Sequence, residues 1–358
     1  MRIAFLTSTP LNFAQGSGTF AGISTLASAA RELGAQAEFF TPSTHLPVYT
    51  AERLWFNHRL RSVDFSRFDV VVGFDMDGYL AAGRQGVPHV ASIKGVIADE
   101  MRFERGVTRR MMAIQAGCER RHVSRASLVL TTSSYAASRI ETLYAPGRPI
   151  RIVPECIDLA GWRDCFRRNP AAPDPAKFTV LCVCRFYPRK RLEVLLRAAA
   201  RLRTRIPELD VRIVGGGPEE ARLLSLWRKL HLEGAVRWLG SISQASLARE
   251  YQNCDVFCLP SVQEGFGIVF LEAMAAAKPV VAARAAAVPE VVPDGIAGLL
   301  AEPESDQALA DRILRLHADQ ALRAALGEAG RRAVERYDAP RVAGLFLEEL
   351  AALTAALP

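Results

Sequence analysis

Short apolar segments alternate with longer amphipathic segments along the whole chain. In the first half, the apolar segments predicted as strands are 2–7, 37–40, 70–74, 89–93, 128–131 and 150–153. In the second half they are 178–184, 210–214, 236–239, 255–259 and 279–282. The segments 22–33, 191–205 and 219–230 predict helices, and the chain is almost all helical from residue 305 onward. Strands that alternate with helices predict an α/β protein of parallel sheets covered by helices.

The length of the chain and one proline-rich segment predict two domains. The 358 residues exceed what a single hydrophobic core usually supports. Segment 169–175 (Asn-Pro-Ala-Ala-Pro-Asp-Pro) has the composition of a linker. We therefore predict doubly wound, Rossmann-like domains over 1–168 and 176–337, which face each other across a cleft lined by the carboxyl ends of the strands.

The positive charge of the chain is concentrated in its first half. Of the net charge of +7, most comes from residues 1–170, which hold 21 Lys and Arg against 15 Asp and Glu. Much of the excess consists of Arg102, Arg105, Arg109, Arg110, Arg120, Arg121 and Arg125. On a helix, these side chains favour an anionic partner such as a membrane surface, or they form an ordinary solvated face. No aromatic platform is interleaved with them, so we expect no nucleic-acid partner.

Several functional classes are disfavoured by what the sequence lacks. No apolar run reaches the roughly 18 residues that span a bilayer, and the first residues enter a strand at once, so we expect a cytoplasmic protein. The seven cysteines form no C-x2-C pair and predict reduced, buried thiols. None of the six histidines has metal-ligand spacing. We expect neither a metal site nor a disulfide framework.

The segment between strand 255–259 and the following helix carries the strongest candidate chemistry. It reads Glu-Gly-Phe-Gly at 264–267, and a second carboxylate follows eight residues after the first. The candidate ligand-binding residues here are Glu264, Gly265, Phe266, Gly267, Ile268 and Glu272. Glycines between a strand and a helix leave backbone N–H groups that can face an anion. Acidic side chains beside such donors suit a ligand with both hydroxyls and phosphate, which describes a nucleotide sugar.

Two further turns follow predicted strands. Arg185 comes directly after strand 178–184, and Lys190 follows five residues later, with Pro188 stiffening the turn between them. A guanidinium can bind phosphate oxygens in a fork, and an ammonium adds a point charge. Gly18 opens the first helix, whose N–H groups could meet a diphosphate or an attacking hydroxyl.

Glu264-Gly-Phe-Gly-x4-Glu272 resembles the signature of the retaining, nucleotide-sugar-dependent glycosyltransferases of family 4, which have the GT-B architecture. The turn from Arg185 to Lys190 resembles the basic phosphate motif of that family. Segment 214–218 (Val-Gly-Gly-Gly-Pro) resembles its Gly-rich turn, and Ser17-Gly18 resembles its N-terminal glycine loop.

The resemblance implies a role for each of these residues. Arg185 and Lys190 would bind the donor diphosphate, Glu264 would accept from the hydroxyls of the donor sugar, and Glu272 would accept from the ribose hydroxyls. The reaction implied is departure of a nucleoside diphosphate with attack of an acceptor hydroxyl on the same face, without a metal or other cofactor. In this architecture the last segment, 338–358, would cross back onto the first domain.

The sequence departs from the family pattern at two places. Lys94-Gly95 stands where the family usually has His-Gly, with the histidine near the donor sugar. Lys94 could give a hydrogen bond or a charge to the sugar or the phosphate, so it remains a candidate donor-binding residue. The Asp99-Glu100 pair after it would help to read the acceptor or would begin a solvated helix. The family's Pro-Asn-Gly-x-Asp hinge is replaced by Pro-Glu-Cys-Ile-Asp at 154–158.

These observations predict a retaining transferase that moves a sugar from a nucleoside diphosphate sugar to an acceptor hydroxyl. The acceptor would be a lipid-linked saccharide or a precursor of cell-surface polysaccharide, lipopolysaccharide or glycolipid. The basic segment 102–125 would give peripheral contact with the inner face of the membrane. Two alternatives stay open: an epimerase of nucleotide sugars with the same architecture, and a catalytically silent protein that binds sugar nucleotides.

Overall fold

The computed structural model describes residues 1–9, 18–44, 46–84 and 86–356. Within these residues the strands are β1 (Arg2–Leu6), β2 (Gln36–Phe40), β3 (Val70–Phe74), β4 (His89–Ile93), β5 (Leu128–Thr131), β6 (Ile150–Ile152), β7 (Phe178–Val183), β8 (Leu209–Val214), β9 (Val236–Gly240), β10 (Val256–Leu259), β11 (Val280–Ala283) and β12 (Gly298–Ala301).

The helices are α1 (Gly18–Glu32), α2 (Tyr49–Leu60), α3 (Ile97–Glu100), α4 (Gly106–Arg125), α5 (Ser134–Tyr144), α6 (Leu159–Arg168), α7 (Leu192–Leu202), α8 (Glu220–Lys229), α9 (Gln244–Asn253), α10 (Ile268–Ala275), α11 (Val288–Val291), α12 (Asp306–Ala318), α13 (Gln320–Ala333) and α14 (Ala339–Ala355). Short 3₁₀ turns lie at Met101–Phe103, Pro188–Lys190 and Val334–Tyr337.

The chain divides into two compact units. Unit 1 consists of Met1–Cys156 with Ala339–Pro358, and unit 2 consists of Ile157–Asp338. The division lies before α6, whereas the sequence placed the domain boundary at the proline-rich segment 169–175. The reason is that α6 buries Leu159 and Trp162 in the core of unit 2.

Unit 1 is built on a parallel six-stranded sheet with the order β2-β1-β3-β4-β5-β6. The chain starts at β1, winds outward to β2, and then returns to the other side through β3. The switch point of this topology therefore lies between β1 and β3, and a doubly wound sheet binds ligands beyond the carboxyl ends of its strands at such a point. Helix α14 packs against α1 and buries Val342, Phe346 and Leu350 in the core of this unit.

Unit 2 is built on a second parallel six-stranded sheet, with the order β12-β11-β10-β7-β8-β9. This is the strand order of dinucleotide-binding domains, and its switch point lies between β7 and β10. The central strands β7 and β10 are apolar and almost wholly buried, as expected for a sheet covered on both faces. The two candidate turns, after β7 and after β10, thus begin at neighbouring strand ends.

The predicted fold class, two doubly wound parallel sheets, is confirmed. Each predicted strand has a counterpart in the structure, but β12 was missed because its four residues, Gly-Leu-Leu-Ala, directly follow the turn-rich stretch Pro-Asp-Gly-Ile-Ala and begin with a glycine. Val280 to Ala283 pair with it in parallel register. The predicted residues of the N-terminal glycine loop before Gly18, including Ser17, lie outside the described residues.

Among the described residues, no helix has the length and apolar character to cross a membrane.

Candidate active site

The turns that follow β7 and β10 are joined by their backbones at the switch point of unit 2. The carbonyl oxygen of Arg189 accepts a hydrogen bond from the amide of Val262 at 3.0 Å and another from the hydroxyl of Ser261 at 3.2 Å. Ser261 also donates to the carbonyl oxygen of Gln263 at 3.0 Å. These bonds fix the loop before Glu264 against the turn that carries Lys190.

Lys190 and Glu264, which the sequence placed in two separate motifs, form an ion pair. The ammonium of Lys190 lies 2.5 Å from Oε1 of Glu264, and the two side chains are 12% and 9% exposed. The Glu264 backbone carbonyl also accepts from the amide of Ala287 at 3.4 Å. One oxygen of Glu264 is therefore committed to Lys190, and the charge of Lys190 is balanced within the protein.

Arg185 differs from Lys190 in having its charge uncompensated. It lies two residues past the end of β7 and is partly exposed. Within the described ranges its side chain makes no hydrogen bond and no ion pair, although its backbone carbonyl accepts from Tyr187 at 2.9 Å. A guanidinium with open donors at a strand end is suited to an anion.

Gly267 is required by the backbone at the start of α10. Its φ is +95°, and a Cβ at this position would lie 2.6 Å from Cδ2 of Phe270. The left-handed turn lets the helix begin at Ile268, whose N–H belongs to the first turn and has no acceptor within the helix. Phe266 is buried and packs edge-on against Tyr337 at 5.2 Å, so its ring supports the loop and only its backbone can face a ligand.

Glu272 lies one turn into α10 with one oxygen occupied. The hydroxyl of Tyr251 on α9 donates to Oε2 at 2.6 Å. Within the described residues Oε1 has no hydrogen-bond partner, so it can accept from a ligand. Burial raises the pKa of Glu272 to about 7, although the bond from Tyr251 opposes the rise.

The three consecutive glycines after β8 support the Arg185 turn by close backbone contact. Gly215 has a φ of +123°, and a Cβ there would lie 2.0 Å from the carbonyl oxygen of Cys184. A Cβ on Gly217 would lie 2.7 Å from the amide nitrogen of Phe186. The Phe186 amide donates to the carbonyl of Gly216 at 3.0 Å. The glycines therefore allow two backbones to touch, which explains why the motif consists of glycines.

In unit 1, Lys94 follows β4 and its backbone is held by Asp75. The carboxylate of Asp75 accepts from the amide of Lys94 at 2.8 Å and from that of Gly95 at 3.4 Å. The ammonium of Lys94 lies 3.1 Å from Oε2 of Glu155, and both side chains are buried. Gly18, the other candidate residue of this unit, begins α1 and is exposed.

The switch point of unit 1 carries buried polar residues that the sequence reasoning missed. Oδ2 of Asp77 accepts from the amide and hydroxyl of Ser8, which follows β1, at 2.7 and 2.6 Å. The guanidinium of Arg53 on α2 lies 3.3 Å from the same oxygen, and Asn57 donates to Oδ1 at 3.0 Å. Burial raises the pKa of neighbouring Asp75 to about 6. The sequence does contain an indication of this cluster, because two aspartates, Asp75 and Asp77, follow directly after β3.

Asp99, expected either to read the acceptor or to begin a solvated helix, is buried and fully paired. Its oxygens accept from the hydroxyl of Tyr135 at 2.7 Å and from Arg139 at 2.8 Å, and Arg102 lies 2.6 Å away. This carboxylate joins α3 to α5 and stabilises the local fold. Among the residues the structure describes, no three His, Cys, Asp or Glu side chains cluster closely enough to hold a metal ion.

Two family models match the chain. The model described as glycosyl transferases group 1 matches residues 166–333, and the model described as glycosyltransferase family 4 matches residues 17–160. The two matches fall on both units and contain the predicted candidate residues Gly18, Lys94, Arg185, Lys190, Glu264 and Glu272.

Curated relatives are 31% and 32% identical to this chain over the segments that align. A GDP-mannose-dependent alpha-(1-6)-phosphatidylinositol monomannoside mannosyltransferase of Mycobacterium tuberculosis is 31% identical over 236 residues, which are 62% of this chain and 60% of that protein. A D-inositol 3-phosphate glycosyltransferase of Saccharomonospora viridis is 32% identical over 286 residues, covering 76% of this chain and 66% of that protein. The chain thus spans about 60% of the length of the first of these relatives.

Solved structures of low identity share the fold. A sucrose-phosphate synthase from Thermosynechococcus elongatus has a TM-score of 0.83 at 22% identity, and the match covers 99% of both chains. The HepE protein of Anabaena, solved in complex with UDP and glucose, has a TM-score of 0.71 at 19% identity and covers 98% of this chain and 99% of that one. These likenesses establish the GT-B class of the fold.

Proposed function

Because this chain belongs to glycosyltransferase family 4, we propose that it transfers a glycosyl group from a nucleoside diphosphate sugar to an acceptor hydroxyl. The observation that carries the proposal is the convergence at the switch point of unit 2. There an uncompensated Arg185, the helix start at Gly267 and the open oxygen of Glu272 follow neighbouring strands β7 and β10. The guanidinium of Arg185 and the amides at the start of α10 can donate hydrogen bonds to a diphosphate, and the carboxylate of Glu272 can accept them from ribose hydroxyls.

Arg185 and Lys190 have different roles, because only the charge of Lys190 is balanced by a neighbouring carboxylate. Arg185 meets the diphosphate with open donors, and each charge-assisted hydrogen bond contributes roughly 1.5–3 kcal/mol. Lys190 keeps Glu264 in place and still has N–H donors for an oxygen of the leaving phosphate. Glu264, oriented by Lys190 through Oε1, accepts from sugar hydroxyls with its other oxygen. In this scheme the open charge of Arg185, the N–H groups at the start of α10 and the spare donors of Lys190 stabilise the leaving group, and no metal is invoked.

The proposed reaction retains the anomeric configuration. The bond between the anomeric carbon and the phosphate oxygen breaks, and the nucleoside diphosphate takes the electron pair. The acceptor oxygen then forms its bond on the face from which the leaving group departed. Its proton passes to the leaving phosphate oxygen. Stabilisation of the developing negative charge by fixed donors accounts for the rate in this scheme.

The acceptor that we propose is a lipid-linked saccharide or a precursor of cell-surface polysaccharide, lipopolysaccharide or glycolipid. Support comes from the names of relatives that act on phosphatidylinositol mannoside and on inositol phosphate. The mannosyltransferase among these relatives is GDP-mannose-dependent, whereas structural neighbours were solved with UDP, so the donor base stays open.

We also propose that the protein works in the cytoplasm and contacts the inner face of the membrane through α4 and the residues before it. The exposed side of this helix carries arginines and exposed apolar side chains, with Val107 67% and Ile114 48% exposed. Arg109, Arg110 and Arg120 make no ion pair within the described part of the chain.

The test is a transfer and hydrolysis assay over UDP-, GDP-, ADP- and dTDP-sugars. We expect one donor class to release nucleoside diphosphate, and Arg185→Ala and Glu272→Ala each to lower kcat/KM at least roughly tenfold. Arg197→Ala and Glu233→Ala, at exposed positions of unit 2, serve as controls that retain activity. Equal activity of the site variants and the controls would refute the assignment. Binding without turnover would favour a silent binding protein, and conversion of the donor to its epimer would favour the epimerase.

A further inference from the structure

Asp75, the first residue after β3, holds its carboxylate in a fixed orientation at the switch point of unit 1. Oδ1 accepts from the amides of Lys94 at 2.8 Å and Gly95 at 3.4 Å. The backbone of Asp75 has a φ of +52°, a left-handed conformation that aspartate adopts more often than most residues. Its amide donates to the carbonyl of Ser92 at 3.0 Å. The backbone and Oδ1 are therefore both held by the neighbouring strand β4 and the turn after it.

The buried titratable groups around this turn add no charge to it. Nδ1 of His122 on α4 donates to the carbonyl oxygen of Asp75 at 2.6 Å, so Nε2 of the same neutral ring accepts from Nε2 of His89 at 2.8 Å. Burial lowers the pKa of both histidines, to about 4 for His122, and both rings are neutral at pH 7. Burial, followed by the charge of Asp75, holds the pKa of Glu119 well above its usual range, so its carboxyl keeps its proton.

The cations that border the turn are each paired with another carboxylate. The guanidinium of Arg53 lies 3.3 Å from Oδ2 of Asp77, and the ammonium of Lys94 lies 3.1 Å from Oε2 of Glu155. Asp75 itself forms no ion pair within the described residues. Its pKa, raised by burial to about 6, leaves it mostly ionised at pH 7.5. One negative charge therefore remains unbalanced at the switch point of unit 1.

The second oxygen of this carboxylate is open. Within the described part of the chain, Oδ2 of Asp75 accepts no hydrogen bond, and the atom is not closed off from solvent. A carboxylate has roughly four lone-pair sites for donors, and the two amides use only Oδ1. A fixed carboxylate oxygen beyond the carboxyl end of a central strand stands where a doubly wound sheet binds its ligand.

A partly exposed aromatic side chain lies beside the carboxylate. Tyr49, the first residue of α2, is 44% exposed, and the guanidinium of Arg53 lies 5.6 Å from its ring centre. Burial of the phenol raises the pKa of Tyr49, and the charges of Asp77 and Asp75 raise it further, so both carboxylates lie close to this side chain. Sugar rings carry C–H groups that pack on aromatic side chains and hydroxyls that donate to carboxylates, so these neighbours suit a sugar ring.

The unbalanced charge selects among such rings. A phosphate or sulfate ester near Asp75 would bring two negative charges together in a partly buried place, where repulsion is stronger than in water. An uncharged hydroxyl donates to Oδ2 without this repulsion. The switch point of unit 1 thus differs in kind from the turn after β7, where the open group is the cation of Arg185 and suits an anion.

We propose that Oδ2 of Asp75 accepts a hydrogen bond from a hydroxyl of the acceptor, and that its charge makes unit 1 select an uncharged sugar ring over one that carries a phosphate or sulfate ester. Asp75 is in this sense a specificity-determining residue. The inference rests on the proposed function and narrows the class of acceptor. Every residue that carries it belongs to unit 1.

The experiment compares charged and uncharged acceptors with the full chain. The acceptors are octyl glycosides of mannose, glucose, galactose and N-acetylglucosamine, each free, as a methyl ether and as a sulfate ester, with the substituent at position 4 or at position 6. The methyl ether blocks the same hydroxyl as the sulfate without adding charge. The comparison uses a position whose methyl ether is still glycosylated, so the ratio of kcat/KM for ether and sulfate reports the charge alone.

Two variants change Asp75 while keeping its backbone conformation. Asp75→Asn retains an oxygen that can accept a hydrogen bond, and asparagine also adopts left-handed φ readily. Asp75→Gly removes the side chain at a φ that glycine adopts without strain. Glu141→Gln removes one negative charge at an exposed position of unit 1 and is the control. The Tm and the Kd of the nucleoside diphosphate are measured for each protein beside transfer.

We expect the wild type and the control to prefer the ether over the sulfate by at least roughly tenfold in kcat/KM. Asp75→Asn and Asp75→Gly should bring the two acceptors within about threefold of each other. Both should also lose roughly tenfold in kcat/KM for the free glycoside, because a charge-assisted hydrogen bond is lost. The Kd of the nucleoside diphosphate should match the wild type.

A wild type that uses the sulfate as readily as the ether would overturn the inference, whatever the variants do. The same holds if both variants keep the wild-type preference, or if the chain hydrolyses its donor but glycosylates none of the octyl glycosides. Should one variant fail to fold, the other variant and the wild-type ratio decide. A wild type that releases no nucleoside diphosphate from any donor would instead refute the proposed function itself.

Discussion

Arg185 and Lys190 carry the same formal charge but stand in different electrostatic surroundings. Lys190 is neutralised by Glu264 at 2.5 Å, whereas the side chain of Arg185 has no partner among the described residues. Removing Lys190 would leave the mostly buried Glu264 without its counter-ion, so it would disturb the site as well as the charge. Arg185 is therefore the residue whose removal reports most directly on anion binding.

Glu272 provides a test of donor binding through pH. Its pKa is raised by burial to about 7, so the carboxylate is mostly protonated at pH 6 and mostly ionised at pH 8. Ribose hydroxyls donate to the ionised form. We expect the Kd of the nucleotide sugar to fall about tenfold from pH 6 to pH 8, measured by titration calorimetry. Glu272→Gln should bind with a Kd that does not change in this way.

The same raised pKa has a consequence for stability. In the folded state Glu272 keeps its proton at pH values where an ordinary, unfolded glutamate has lost it. Its contribution to stability is therefore fully present below the unfolded pKa and is lost as pH rises through about 7. The difference in Tm between wild type and Glu272→Gln should shrink or reverse with rising pH. A constant difference across the window would contradict the raised pKa.

The sequence predicted the candidate residues that directly follow strands and missed their partners from other elements. Arg185, Lys190 and Glu264 are candidates because strand ends and glycines mark them. The contact of Tyr251 with Glu272, and that of Glu155 with Lys94, depend on packing between elements far apart in the chain. No spacing rule along one sequence encodes which helix face meets which strand end.

At the scale of elements, the glycine turn after β8 is a structural requirement of the Arg185 turn. The backbone of Gly215 contacts that of Cys184. The φ of Gly215 is +123°, a conformation that residues with a side chain rarely adopt. The sequence showed that a turn occurs here, but not what it touches. Strand β12 was likewise hidden, because it begins with a glycine directly after a turn-rich stretch.

Gly215→Ala should therefore destabilise unit 2 and weaken donor binding together. The added Cβ would lie 2.0 Å from a backbone oxygen, and relief of such a clash costs about 1–3 kcal/mol. Chemical denaturation measures the first effect and nucleotide titration the second. Gly234→Ala is the matched control, because a Cβ there meets nothing within 4 Å. Similar stability of the two variants would show that the turn tolerates the clash.

At the scale of the molecule, the sequence predicted two doubly wound domains, and the structure contains two such units. The division between Cys156 and Ile157 could not be predicted from the sequence. The prolines of 169–175 indicate a loop, but they do not show in which hydrophobic core the preceding helix, α6, is buried. Leu159 and Trp162 of α6 decide that question by packing in unit 2.

The charge of unit 1 leads to a prediction about membranes. Replacing Arg109 and Arg110 by glutamine should weaken co-sedimentation with vesicles rich in phosphatidylglycerol, because attraction to anionic lipid depends on exposed positive charge. The same double change at Arg331 and Arg332, which pair with Glu328, removes equal charge elsewhere and should have little effect. Binding of the wild type should decrease at about 0.5 M salt. Equal losses for the two variants would indicate that only net charge matters.

Unit 1 is assembled from two separated stretches of chain, whereas unit 2 is one continuous stretch. During translation, every residue of unit 2 therefore emerges from the ribosome before α14 does. The apolar face of α1 that α14 covers in the folded protein is exposed to solvent throughout that interval. Of the two units, unit 1 therefore begins synthesis first but completes its fold last. In this period chaperones can bind the exposed face of the nascent chain, or the face can associate prematurely with other chains.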